Sequence, residues 1–336
     1  MGGQAAEEAS VFALAPVAPD RTAAYGEHPD QVVDFYLPPE ASRPAPLVLL
    51  FHGGAWRAPY DRRHVSPFAA FLAGRGLAVA SVEYRRGGAG SSPPGPAARD
   101  GQGPRTEDRD VPGGGPGTGP RSGRDGPGGA PRAGRWPETF DDIAAAVDLV
   151  PGLVRELGLP GVDTDRTVLT GHSAGGHAVL WAAARHRLPS GTPWHLPSPS
   201  PLRGVVALAP IADLATARAL DVCSGAVGEL LGEGEGEGED DGDGDGVGVG
   251  DGGELAVRLA LADPAALLPT AIPTTIVQGG TDIDVPPAVA AAFAAAAARA
   301  GQRVRLVTTE GGHFPPIDPT TPAAHTTAEE IARLAT

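Results

Sequence analysis

The stretch that decides the fold is RTVLTGHSAGGHAVLWAAARHR, residues 166–187. Its first part, RTVLTG, is a short apolar run with β-branched residues, which is typical of a buried strand. Its last part, AGGHAVLWAAARHR, is rich in alanine and predicts a helix. Ser173 lies between the two, and the small residues Gly171, Gly175 and Gly176 allow a sharp turn and a close approach of helix and strand. We therefore predict a strand, a tight turn that carries Ser173, and a helix whose N-terminus favours negative charge near the serine oxygen.

The rest of the chain continues this alternation of strand and helix patterns. Further strands are predicted at residues 31–37, 46–52, 77–84, 204–209, 273–279 and 303–309. Further helices are predicted at residues 65–76, 140–158, 287–301 and 323–335. Such alternation is typical of a mostly parallel central sheet with crossover helices on its faces. We predict the α/β class, with a single domain over residues 1–336.

Two segments of the chain lack any apolar pattern. Residues 87–135 are rich in Gly, Pro and Arg, and residues 232–253 alternate Gly with acidic residues. Such segments cannot bury enough apolar surface to offset the conformational entropy that is lost on ordering. We therefore expect two disordered inserts within the domain. The remaining residues, roughly 265, are a normal number for one α/β domain.

Composition excludes several classes of function. The formal net charge is −15, and ten acidic residues between Gly232 and Glu254 carry most of it. The 26 basic residues are all arginine and are scattered along the chain, so a nucleic-acid surface is not expected. The absence of lysine excludes Schiff-base chemistry and a P-loop. Because no apolar run approaches the roughly 20 residues that cross a bilayer, no membrane association is expected.

Cysteine and metal-ligand patterns predict a chain without a cofactor. Cys223 is the single cysteine, which excludes internal disulfides and multi-thiolate metal sites. The run DGDGDG at residues 241–246 resembles the start of a calcium-binding loop, but Gly252 occupies the position of the required glutamate. We expect neither a metal nor an organic cofactor. Since the sequence also shows no secretory signal pattern, the cytoplasm is the expected compartment.

A second motif, HGGAW at residues 52–56, follows the apolar strand PLVLLF. Acyl transfer builds an oxyanion, and backbone N–H groups of a glycine loop can approach it because no Cβ blocks them. Gly53 and Gly54 are the candidate donors, and the N–H of Ala174 completes the predicted oxyanion hole. We expect His52 to support this loop rather than to take part in the chemistry.

The residues needed to activate Ser173 follow two later strands. A serine hydroxyl becomes a strong nucleophile when a histidine takes its proton and a carboxylate orients that histidine. In chains with this kind of serine turn, the acid and then the histidine follow on loops after late strands. GTDIDVPP follows the strand PTTIVQG and offers Asp282 and Asp284, and EGGHFPP follows RVRLVTT and offers His313. Asp213, which follows an earlier strand, is expected to be structural.

Six motifs in this order resemble the α/β-hydrolase family: HGGAW, EYRR, WPETFDDI, GHSAGG, QGGTDIDVP and GGHF. Within that family the chain is most similar to the carboxylesterase branch with an HGGxW loop, which includes hormone-sensitive-lipase-like esterases, feruloyl or acetyl-xylan esterases and kynurenine formamidases. The similarity covers residues 25–86, 136–231 and 255–320. The spacing of the family's motif favours Asp282 over Asp284. The chain departs from the family between EYRR and WPETFDDI, which a short loop normally joins and which the first insert here separates.

The resemblance implies a serine hydrolase that cleaves a small carboxylic ester through an acyl-enzyme. Ser173 would attack, His313 would carry the proton, and Asp282 would orient His313. The same machinery serves arylformamidases, peptidases and acyltransferases, so a formamide substrate and these other reactions stay open at this point. Two further classes also stay open. One is a non-catalytic ligand-binding member of the fold, which the complete set of candidate residues disfavours, and the other is a protein that acts through its inserts.

Overall fold

The central feature is a sheet of eight strands, in a computed structural model that describes residues 2–39, 44–87, 133–233 and 251–336. In chain order, the strands are β1 Arg21–Ala24, β2 Val32–Tyr36, β3 Ala45–Phe51, β4 Ala78–Val82, β5 Val162–His172, β6 Gly204–Leu208, β7 Thr274–Gly279 and β8 Val304–Thr309. Their order across the sheet is β1-β2-β4-β3-β5-β6-β7-β8. Strand β2 pairs antiparallel with β1 and β4, and the other neighbouring strands pair parallel. The sheet is therefore mostly parallel, as predicted.

Helices cover both faces of this sheet. In the described part of the chain they are α1 Gly2–Ala13, α2 Ser66–Ala73, α3 Glu138–Glu156, α4 Ala174–Ala184, α5 Leu214–Ala219, α6 Ala226–Leu230, α7 Asp251–Ala262, α8 Pro287–Arg299 and α9 Pro322–Ala335. Helices α3, α4 and α8 pack into one apolar cluster, and α2 and α9 pack into a second cluster. A parallel sheet needs such cover on both faces because its strands are apolar on both sides.

Strand β3 shows how the core is divided between the two faces. Leu47 and Leu49 belong to the cluster on the α3 and α4 side, and Val48 and Leu50 belong to the cluster on the α2 and α9 side. Successive side chains of a strand point to opposite faces, so this alternation is what an extended backbone requires. Since both faces are covered, β3 reads in the sequence as one uninterrupted apolar run.

The predicted fold class is confirmed, and several elements were not predicted. The seven predicted strands and five predicted helices are present, with ends that differ by a few residues. The sequence did not predict β1, whose side chains are mostly exposed, nor α1, α5, α6 and α7. Helix α7 begins at Asp251, inside the predicted insert 232–253, because Leu255 and Leu259 on this helix pack against the core.

Both ends of the first predicted insert are anchored on one backbone carbonyl. The N–H of Gly87 donates to the C=O of Trp56 at 3.0 Å, and the N–H of Gly134 donates to the same oxygen at 2.7 Å. Ala133 is completely buried. These residues belong to the packed domain because hydrogen bonds and burial hold them, which corrects the predicted bounds of 87 and 135. The rest of the two predicted inserts, residues 88–132 and 234–250, lies outside the described residues.

We propose that residues 88–132 are dispensable for folding. Because Gly87 and Gly134 bond to the same carbonyl, a short Gly/Ser linker can join their backbones. A flexible loop also adds only about 0.6 kcal/mol of closure cost per doubling of its length. Replacing residues 88–132 by such a linker should therefore not lower the Tm in differential scanning calorimetry. A Tm lowered by several degrees would show that the segment stabilises the domain.

Candidate active site

Ser173 occupies a strained turn between β5 and α4. Its backbone has φ 55° and ψ −115°, a conformation that L-residues rarely adopt. The N–H of Ser173 donates to the C=O of Leu208 at 2.8 Å, and its own C=O accepts from the N–H of His177 at 3.1 Å. Strain of this kind persists only where the surrounding structure holds the residue, and it is found most often at functional sites.

Three glycines make this turn possible. A Cβ on Gly175 would overlap the carbonyl oxygen of Phe51 and would lie 2.6 Å from that of His52. A Cβ on Gly171 would overlap the carbonyl oxygen of Gly175, and Gly176 is similarly crowded. The predicted close approach is therefore present, and α4 begins directly against the end of β3.

Asp282 and His313 form a buried pair after β7 and β8. Asp282 Oδ2 lies 2.8 Å from His313 Nδ1, and neither side chain is more than 5% exposed. The second oxygen, Oδ1, accepts from the N–H groups of Asp284 at 3.0 Å and Val285 at 2.9 Å. Gln278, which sequence analysis did not single out, donates its Nε2–H to Oδ2 at 3.0 Å. These bonds hold the carboxylate in one orientation, so the proton of a neutral His313 resides on Nδ1 and leaves Nε2 free to accept.

The geometry distinguishes the candidate acids. Asp282 contacts His313, whereas Asp284 is only partly buried and lines the cavity beside it. Asp213 lies at the start of α5, where its carboxylate accepts from the N–H of Thr216 at 2.8 Å. Asp213 is therefore a helix cap, and Asp282 is the candidate carboxylate that contacts the histidine.

One cavity, of about 220 Å³, contains both Ser173 and His313. Gly54 and Ala55 form one wall of this cavity. They belong to the HGGAW segment, residues 52–56, which we call the glycine loop. Aromatic and polar side chains form much of the rest: Glu8, Phe12, Tyr60, His64, Asp284 and Phe314. The structure thus brings the predicted hydroxyl, imidazole and glycine loop to one small site that a ligand can enter.

His172, the residue before Ser173, binds the backbone of His313. Its Nε2–H donates to the backbone C=O of His313 at 2.9 Å, and the two ring centroids are 4.5 Å apart. Burial and the neighbouring His313 lower the pKa of His172 well below its usual range. A neutral His172 can therefore hold this carbonyl without placing a second positive charge beside His313. In the sequence, only its place inside GHSAGG could have indicated this role.

The glycine loop lies directly against Ser173. A Cβ on Gly53 would lie 3.2 Å from the Cβ of Ser173, and Gly54 has a φ of 108°, which favours glycine. Within the described ranges, no protein acceptor is hydrogen-bonded to the N–H of Gly53 or Gly54. Ala174 is the first residue of α4, so its N–H has no partner inside the helix. The donors that the sequence predicted are thus available beside Ser173.

Helix α1 forms a wall of the site that sequence analysis missed. The carboxylate of Glu7 accepts from the N–H of Gly312, the neighbour of His313, at 2.9 Å and 3.1 Å. Phe12 packs against Phe314, with ring centroids 6.1 Å apart, and both rings line the cavity. The sequence of this helix, GGQAAEEASVFA, contains few large apolar residues. Only its contacts in the folded chain reveal it.

Neither a metal cluster nor a membrane-spanning helix is found among the residues that the structure describes. No group of three or more His, Cys, Asp or Glu side chains is arranged there to hold a metal ion. In the same part of the chain, no helix combines the length and the apolar character needed to cross a membrane.

Comparison with solved structures identifies the architecture. A truncated carbohydrate esterase from gut microbiota matches with a TM-score of 0.63 and 18% identity, over 96% of this chain and 99% of that one. A phosphonate-inhibited esterase B from Lactobacillus rhamnosis matches with a TM-score of 0.63 and 16% identity, over 99% and 90% of the two chains. A butyrate-bound esterase from Thermogutta terrifontis matches with a TM-score of 0.56 and 19% identity, over 93% and 92%. The chain has the α/β-hydrolase fold.

Sequence comparison reaches a shorter part of the chain. No family model matches it. A probable isoprenylcysteine alpha-carbonyl methylesterase from Oryza sativa subsp. japonica is 35% identical over 65 residues, which are 19% of this chain. The match spans only 16% of the length of that protein. The structural likeness therefore defines the fold alone.

The crowding around Gly175 predicts that this position does not tolerate a side chain. Gly175→Ala should lower the free energy of unfolding by about 1–3 kcal/mol or more, because the backbone must shift to relieve the overlap. The matched control is Gly152→Ala in α3, where a Cβ meets nothing within 4 Å. That change should stabilise the protein by about 0.5–1 kcal/mol. Urea unfolding measures both variants, and equal stability of the two would contradict the close approach.

Proposed function

We propose that this chain is a serine carboxylesterase of the HGGxW branch, which cleaves a small carboxylic ester. The observation that carries the proposal is the contact of Asp282 Oδ2 with His313 Nδ1 at 2.8 Å. His313 and Ser173 line the same cavity. A nucleophilic serine, a histidine and a carboxylate that orients the histidine are the parts of a serine-hydrolase triad. The three structural neighbours described above are all named as esterases, which supports the same reaction class.

Acylation follows from the order of these contacts. Ser173 Oγ attacks the acyl carbon of the ester, and its proton passes to Nε2 of His313. Asp282 accepts from Nδ1–H throughout and stabilises the imidazolium that forms. The bond between the acyl carbon and the alcohol oxygen then breaks, and Nε2 returns the proton to the departing alcohol. Ser173 is left with the acyl group as an ester.

Deacylation repeats the sequence with water. His313 takes a proton from the water, the resulting hydroxide attacks the acyl carbon, and Ser173 Oγ leaves with the proton that Nε2 returns. In both halves, negative charge develops on the former carbonyl oxygen. The N–H groups of Gly53, Gly54 and Ala174 are the donors that we assign to this oxygen.

The cavity supports a small substrate. Its volume of about 220 Å³ lies below the roughly 300–1,000 Å³ of pockets that hold drug-sized ligands. Phe12, Tyr60 and Phe314 supply apolar wall area close to Ser173. We therefore propose short acyl and alcohol groups as the substrate class.

The nucleophile is tested by Ser173→Ala. Without Oγ no acyl-enzyme can form, so kcat on short-chain p-nitrophenyl esters should fall by about 10⁶-fold. Circular dichroism and the Tm of the variant control for its fold. Residual turnover at the wild-type rate would exclude Ser173 as the nucleophile. N-formylkynurenine is assayed in parallel, and a kcat/KM on this formamide above that on every ester would replace the ester proposal.

The acid is tested by Asp282→Asn, with Asp284→Asn as the matched control. An amide at residue 282 donates toward Nδ1 and stabilises the wrong tautomer of His313, so kcat should fall by about 10⁴-fold. Asp284 does not orient His313, so its variant should lose less than about tenfold, a loss typical of a displaced binding contact. Steady-state kinetics on one aryl ester measures both variants. The reverse order of losses would assign the acid to Asp284.

A further inference from the structure

The segment Glu83–Tyr84, which follows β4, contacts the glycine loop. The hydroxyl of Tyr84 donates to the backbone C=O of His52 at 2.8 Å. The Tyr84 ring also stacks on the His52 imidazole, with centroids 4.5 Å apart and planes 17° from parallel. Both side chains are completely buried. The proposed chemistry does not use the EYRR motif directly. The motif is nevertheless in contact with the glycine loop, whose N–H groups that chemistry does use.

The imidazole of His52 connects Glu83 to the same loop. His52 Nδ1 lies 2.7 Å from the C=O of Gly53, and Nε2 lies 2.9 Å from Glu83 Oε1. Both ring nitrogens face oxygen atoms, so a hydrogen on Nδ1 donates to the Gly53 carbonyl and a hydrogen on Nε2 donates to the Glu83 carboxylate. Burial raises the pKa of Glu83, but the His52 charge and hydrogen bond, together with Arg86, outweigh it and lower this pKa to about 2. Glu83 is thus the anion that holds His52 in place.

These two bonds set the direction of two backbone N–H groups. In a trans peptide the C=O and the following N–H point in opposite directions, and both peptides of the loop are trans. The Tyr84 hydroxyl fixes the direction of the His52 C=O. It therefore also fixes the direction of the Gly53 N–H, which points the opposite way. In the same way, Nδ1 of His52 fixes the direction of the Gly53 C=O and therefore that of the Gly54 N–H.

Glycine makes this support necessary. Gly53 and Gly54 have no Cβ, so their peptide planes rotate more freely than those of other residues. A rotated peptide would turn a carbonyl oxygen instead of an N–H toward the developing oxyanion, which would raise the barrier to attack. Pre-aligned donors contribute most when they need no reorganisation during the reaction.

We propose that Tyr84 and the hydrogen-bonded pair of His52 and Glu83 are positioning residues, which hold the N–H groups of Gly53 and Gly54 in the orientation that binds the oxyanion. This inference rests on the proposed esterase function. None of the three side chains lines the cavity that contains Ser173. Each acts through the backbone of the glycine loop.

The direct test is Tyr84→Phe, which keeps the ring stack and removes only the hydroxyl. Loss of one whole oxyanion donor costs about 10²–10³ in kcat, and a misaligned donor should cost about 10- to 100-fold. The KM for a short aryl ester should stay the same, because the ground-state ester does not need the hole. The Ki of a phenylboronic acid, which forms a tetrahedral adduct, should rise by the same factor as kcat falls.

The matched control is Tyr36→Phe. Its hydroxyl also donates from a buried ring to a backbone carbonyl, that of Val17, at 3.1 Å, but on the far face of the sheet. A Tyr84→Phe loss in kcat no larger than that of Tyr36→Phe would overturn the inference, as would a KM that rises while kcat and the boronate Ki stay unchanged. An inactive wild type would overturn both the proposed function and this inference, whereas an active wild type with two equal variants would overturn this inference alone.

A second pair of variants tests His52 by partial rescue. The Nδ2 of asparagine occupies nearly the position of histidine Nδ1, so His52→Asn keeps a donor for the C=O of Gly53 and His52→Leu keeps none. The kcat of His52→Asn should be at least about tenfold higher than that of His52→Leu, with similar KM values. Tenfold is about the contribution of one neutral hydrogen bond. Equal kcat in the two variants, at Tm values within a few degrees, would contradict the role of Nδ1.

Discussion

The close approach of Gly175 to the end of β3 is the constraint on which the site depends. Because a Cβ there would overlap the carbonyl oxygen of Phe51, only glycine lets the first turn of α4 meet the strand. This contact brings Ser173, held at a φ of 55°, beside the loop that contains Gly53. The proposed nucleophile and the proposed oxyanion donors therefore come together through backbone packing rather than through side-chain bonds. The arrangement is rigid because the buried interior allows little rearrangement.

Two buried carboxylate–imidazole pairs flank Ser173 and have different roles. Asp282 binds Nδ1 of His313 at 2.8 Å and leaves the other ring nitrogen free to exchange a proton. Glu83 binds Nε2 of His52 at 2.9 Å, and the other nitrogen is already committed to the carbonyl of Gly53. The first pair can therefore take part in proton transfer, and the second pair can only hold geometry. Their burial strengthens both, because hydrogen bonds are electrostatically stronger in a low dielectric.

The candidate residues could be predicted because each follows a strand of one parallel sheet. Ser173, Asp282 and His313 come after β5, β7 and β8, and the carboxyl ends of parallel strands meet at one edge. Contacts between distant segments could not be predicted in this way. Glu7 reaches the loop of His313 across nearly the whole chain, from a helix with few large apolar residues. Gln278 stands inside a recognisable motif, but its bond to Asp282 depends on a side-chain direction that spacing does not encode.

The most direct test of the proposed mechanism is a crystal structure of the protein after reaction with an alkyl fluorophosphonate. The proposed mechanism predicts a covalent bond from phosphorus to Ser173 Oγ. It also predicts a phosphoryl oxygen within about 3 Å of the backbone nitrogens of Gly54 and Ala174, which is the geometry of an occupied oxyanion hole. Attachment at another residue, or an oxygen that points away from the glycine loop, would contradict it.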